Sequence, residues 1–139
     1  MKHILTLLVL LASPAAVLAG EAASHGHSHG NIVVPATLPE LRAAIAAKQS
    51  ELSAALGAKD AAATHAATDA LAAFVKAAPA MADGLDDAAK QRATGMANNA
   101  AMAWGKVAHE AGHSDYGKAG REVAKADAAY RLLDARLNP

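Results

Sequence analysis

Apolar residues recur every three or four positions along four separate stretches of this chain, the spacing that lines one face of an α-helix. The first stretch, about Pro39 to Leu56, aligns Leu38, Leu41, Ile45, Leu52 and Leu56, with Thr37 as its cap, Pro39 early and Gly57 as its stop. Asp60 caps the second, whose face is Ala67, Leu71, Phe74, Val75 and Ala78 and which ends at Pro79. Asp83-Gly84 marks a turn, and the third stretch, roughly Leu85 to Ala111, aligns Leu85, Ala89, Ala93, Met96, Ala100, Trp104, Val107 and Ala111. Gly112 to Asp115 forms the next break. Tyr116 then stands at the entrance of a fourth helix with Ala119, Val123, Ala126, Tyr130, Leu133 and Leu137 on its face. Four helices joined by short turns predict an all-α protein, an up-down-up-down four-helix bundle over residues 38–139. Their lengths differ and they carry no shared motif, which argues against a repeat solenoid.

Ahead of the helices the pattern changes twice. Met1-Lys2-His3 is a short basic start, Ile4 to Leu11 is an apolar run, and Val17-Leu18-Ala19 has the small-residue spacing of a signal-peptidase site. Residues 1–19 therefore read as a Sec-type signal peptide. The apolar residues before Pro14 are too few for a membrane span, so no membrane anchor is expected after cleavage. Cleavage after Ala19 or Ala22 would release the chain to the periplasm. Residues 20–37 combine Gly, Ser, His and Pro without helical periodicity and read as a flexible tail, ending in the extended lead-in Ile32-Val33-Val34-Pro35.

Composition narrows the chemistry. Among 139 residues, 41 are alanine and only 3% are aromatic, which favours helices over a β-sandwich or barrel. Lys+Arg and Asp+Glu both number 13, so nothing in the charge supports nucleic-acid binding. The absence of cysteine removes disulfide scaffolds, thiolate zinc sites, iron–sulfur clusters and cysteine nucleophiles together. The seven histidines are the distinctive chemistry that remains.

Three of them lie in Ser24-His25-Gly26-His27-Ser28-His29-Gly30. Small spacers let His25, His27 and His29 reach one ion without steric cost, and neutral imidazole suits Cu(II), Ni(II) and Zn(II). The plainer reading is a solubilising low-complexity tail. A second group, His109-Glu110-Ala111-Gly112-His113, has the H-E-x-x-H spacing of zinc proteases. Its context is wrong for that activity: Tyr116 and Ala119 stand where an extended protease motif needs glycine and a third histidine, and no strand is available to hold a peptide. The same residues allow a gentler role. At 100° per residue, Met102, His109 and His113 fall within about 40° of one another, opposite Met96, Trp104 and Val107. A thioether and two imidazoles on an exposed stripe could hold copper, or zinc with a carboxylate or water in place of Met102. They could equally be solvated histidines beside a helix C-terminus, where positive charge is favourable. His65, four residues before Asp69, is either a further ligand or a structural histidine hydrogen-bonded to that carboxylate.

Haem is not expected. The b-type cytochromes of this shape use a Met near the start of helix one and a His in the last helix, and this chain has neither. No phosphate loop or Ser/His/Asp triad is evident, so the chain does not read as an enzyme.

The signal peptide, the Ser24–Gly30 histidine run, Leu38-Pro39-Glu40-Leu41, Gly57-Ala58-Lys59-Asp60, Thr64-His65-Ala66 and Ala77-Ala78-Pro79 together carry a resemblance. The chain resembles the small, His-tailed, alanine-rich periplasmic helical-bundle proteins associated with heavy-metal and copper efflux systems. That resemblance implies metal binding or buffering in the periplasm, a metal efflux system as partner, and a match between His65 and a helix-two histidine. The leading expectation is thus a metal-binding protein that buffers or delivers copper first, zinc or nickel otherwise. The alternative is a helical periplasmic adaptor or chaperone that binds protein partners, its His tail incidental.

Overall fold

A computed structural model describes residues 31–138. The expected signal peptide and His25, His27 and His29 lie outside the described residues. Within them the chain is all-helical, with four α-helices and no strand: α1 Leu38–Gly57, α2 Ala61–Ala77, α3 Asp87–Gly112 and α4 Tyr116–Arg136. A single 3₁₀ turn, Ala78–Met81, closes α2 around Pro79.

Each helix begins where a side-chain oxygen meets otherwise unpaired backbone N–H groups. Thr37 accepts from Glu40 N (3.4 Å), Asp60 from Ala63 N (2.9 Å), Asp86 from Ala89 N (2.6 Å) and Asp115 from Lys118 N (2.8 Å). The ends of α1 and α3 share one device. Lys59 (φ 55°) and Ser114 (φ 62°) take the left-handed conformation. Their N–H groups donate to Leu56 O and Ala111 O, while Asp60 N and Asp115 N reach back to Ala55 O and Glu110 O, each at 2.9 Å. This is a Schellman stop at both ends, with the following Asp serving at once as the next helix's cap. Gly57 was expected to be the stop of α1; it is instead the last helical residue, and Lys59 carries the turn. The pairing Gly57-Ala58-Lys59-Asp60 and Gly112-His113-Ser114-Asp115 is a motif common to the two turns, although it does not make a repeat architecture. Between the hairpins, Gly84 (φ 81°) supplies the other left-handed turn.

Consecutive helices pack closely, α1 on α2, α2 on α3 and α3 on α4. The order is compatible with an up-down-up-down bundle. The core is built from Leu41, Ile45, Leu52, Leu71, Phe74, Val75, Trp104, Val107, Leu133 and a set of fully buried alanines, among them Ala100, Ala111, Ala119 and Ala126. Alanine at those positions lets helix backbones approach. The seam between α1 and α4 is different, being spanned by long polar side chains: Arg42 Nε donates to Asp134 (2.7 Å) and Gln49 to Asp127 (2.7 Å). On α2, Thr64 and Thr68 are buried within the apolar face and return their hydroxyls to backbone oxygens one turn earlier. That satisfies the buried polar groups locally. Upstream of α1, Ile32 is half-buried against the core. No helix among the described residues is long and apolar enough to cross a membrane.

Candidate metal centre

His109 and His113 occupy the last turn of α3, where the local sequence fixes both. His109 is still helical, and its carbonyl accepts from His113 N at 3.2 Å. His113 is the C-cap residue (φ −88°, ψ 8°), held by the hydrogen bonds of the Schellman stop that follows it. The two rings meet edge to face with centroids 4.6 Å apart, and both residues are exposed. An i, i+4 histidine pair on one helical face is the two-ligand half of a zinc or copper site.

The glutamate of the H-E-x-x-H spacing does not join them. Glu110 turns toward α4, where Lys118 Nζ lies 2.8 Å from Oε1, and its side chain is only 14% exposed. The hydrogen bond and charge of Glu110 raise the Lys118 pKa, with smaller contributions from Asp115 and Glu122. A second pair lies within α4, where the Lys125 ammonium, 2.6 Å from Glu122, holds that buried carboxyl below its ordinary value. A folded-state pKa depressed in this way contributes stability above the unfolded value, and the contribution fades as pH falls through the folded one.

The other candidates stand apart from the pair. Met102 shares its face and is 62% exposed, but it precedes His109 by two helical turns, about 10 Å along the axis. His65, half-buried one turn into α2, lies across from the end of α3, where its Nε2 would stand 3.3 Å from a Cβ placed on Gly112. Gly112 thus leaves room for the His65 ring, a close approach no sequence spacing reveals. Among the described residues, no group of three or more His, Asp or Glu is positioned to hold one ion.

Gly57 and Gly112 occupy equivalent positions at the ends of α1 and α3, but a Cβ on Gly57 meets nothing within 4 Å. Helical glycine costs roughly 0.5–1 kcal/mol relative to alanine. Gly57→Ala is therefore expected to stabilise the protein by up to about that amount. Gly112→Ala should gain less and should shift the ring signals of His65. Urea unfolding together with histidine NMR checks both, and equal gains with an unmoved His65 would contradict the packing described.

A cavity of about 670 Å³ opens at the other end of α3, lined by Leu85, Met96, Arg92, Arg136 and neighbouring residues, with no His, Asp or Glu in its walls. Large hydrophobic side chains that remain exposed among the described residues are Val33, Val34, Met102 and Leu132, divided between the lead-in, α3 and α4. Comparison with protein-family models, curated proteins and solved structures finds no match to this chain.

Proposed function

We propose that this chain is a periplasmic metal-binding protein, exported by residues 1–19, that buffers or delivers copper, zinc or nickel ions. In this reading an up-down-up-down bundle is the scaffold. The main ligands are His25, His27 and His29, and His109 with His113 forms a second, weaker site. His65 lies across from the end of α3 on α2, apart from the pair. The observation that carries the reading is the exposed His109–His113 pair, its rings 4.6 Å apart at a hydrogen-bonded helix end. Preorganisation lowers the ordering cost of chelation, whereas the tail must fix a chain at roughly 1–2 kcal/mol per residue but offers three imidazoles. Among the described residues, the distribution of exposed large apolar side chains over three elements also favours metal handling over the adaptor alternative, which needs one contiguous apolar surface. The pairing of Glu110 with Lys118 fits a role without peptidase chemistry.

Calorimetric titration with Cu(II), Ni(II) and Zn(II) tests the reading on three forms of the secreted chain. These are the unsubstituted form, a His25→Ala/His27→Ala/His29→Ala variant and a His109→Ala/His113→Ala variant. The tail variant is expected to lose the tighter site and at least tenfold in apparent affinity. The helix variant should lose only a weaker one. Unchanged divalent-metal binding in the tail variant would remove the tail from the account. Absence of binding by all three forms would leave the adaptor role in its place.

A further inference from the structure

The His109–His113 pair supplies two ligands, and a zinc ion takes four at about 2.0–2.1 Å. Among the described residues nothing adds a third, because Glu110 is committed to Lys118, His65 is half-buried on the neighbouring helix and no larger group assembles. An ion on the pair therefore keeps open positions facing outward. We propose that a second copy of this chain fills them, two helix-end histidine pairs closing around one divalent ion to make a symmetric dimer joined by four imidazoles. The inference rests on the reading of His109 and His113 as metal ligands and adds the partner that completes their site.

The surroundings of the pair suit such a partner. A two-fold axis through the ion makes the interface self-complementary, so each copy presents the same patch to the other. On the same face of α3, one turn before His109, Gly105 carries no side chain, and a Cβ there would meet nothing within 4 Å. A facing helix can thus come close without displacing bulk. Two turns before His109, Met102 is 62% exposed and offers apolar contact at the edge of the patch. The apolar content of this patch is small. Association is therefore expected to depend on the metal and to vanish with chelation.

The test uses the secreted chain with His25, His27 and His29 replaced by alanine, so that the tail does not contribute, and zinc sulfate as the probe. Sedimentation and calorimetry at tens of micromolar protein are expected to show one zinc per two chains. The mass should double and return to monomer with EDTA. Adding His113→Ala should abolish the zinc-dependent doubling while circular dichroism still reports a fully helical protein. Zinc bound one to one by a monomer, and lost on His109→Ala/His113→Ala, would overturn the dimer and leave the metal reading intact. Doubling that persists in the His113→Ala form would also overturn it, placing the contact elsewhere. If the unsubstituted chain binds no zinc, copper or nickel, the metal reading itself fails.

Discussion

Trp104→Ala is expected to remove about 3–5 kcal/mol of folding stability, the range for truncating a large buried aromatic. Trp104 is fully buried near the middle of α3, in the same core cluster as Leu71, Val107 and Leu133. Many of its companions in that core are alanines, whose side chains have no rotamers with which to fill the space an indole leaves. Small domains are stable by only about 5–15 kcal/mol, so the variant should sit close to unfolding at ambient temperature. The indole N–H sharpens the expectation. Nε1 of Trp104 is buried with no hydrogen-bond partner, and an unsatisfied buried polar group costs about 1–3 kcal/mol. Trp104→Phe removes that donor while retaining most of the apolar volume, so it should lose far less than Trp104→Ala. Urea unfolding followed by circular dichroism gives both values, and a loss below about 1 kcal/mol for the alanine variant would contradict the packing.

The second large effect runs in the opposite steric direction. Ala100→Leu, at a fully buried position of α3, is expected to destabilise by about 1–3 kcal/mol. Leucine and alanine differ little in helix propensity, so the loss reports crowding between helices and not a weaker helix. Ala124→Leu on the exposed face of α4 is the control, expected within about 0.5 kcal/mol of the parent protein. Equal effects at the two positions would mean that buried alanine is not what sets the helix spacing.

These two substitutions mark what the sequence discloses and what it conceals. Helical periodicity and the caps Thr37 and Asp60 are local, so the four helices follow from residues three or four apart. The buried threonines Thr64 and Thr68 and the buried Glu122 break the apolar pattern, and their burial follows from bonds that periodicity does not contain. The Arg42–Asp134 and Gln49–Asp127 struts join positions far apart in the chain and carry no apolar signature at all. At the candidate site, the spacing of His109 and His113 already places them on one exposed face. The rotation of Glu110 toward Lys118 and the approach of His65 to Gly112 depend on how α4 and α2 meet α3. Chemical spacing within one helix is legible, whereas the second helix that claims a side chain is not. The common Gly-x-x-Asp turn was available from the sequence, since Gly57 to Asp60 and Gly112 to Asp115 align residue for residue at their ends.

Metal binding by imidazole is the central claim, and electron paramagnetic resonance of the secreted chain with one equivalent of Cu(II) at pH 7.5 tests it most directly. Coordination by the histidines predicts an axial spectrum with nitrogen superhyperfine splitting from at least two imidazoles. That splitting should fade on acidification below about pH 6.5, where free imidazole takes up a proton. It should also diminish in the His25→Ala/His27→Ala/His29→Ala form. A spectrum identical to that of copper in buffer alone, without nitrogen splitting at any pH, would contradict the account.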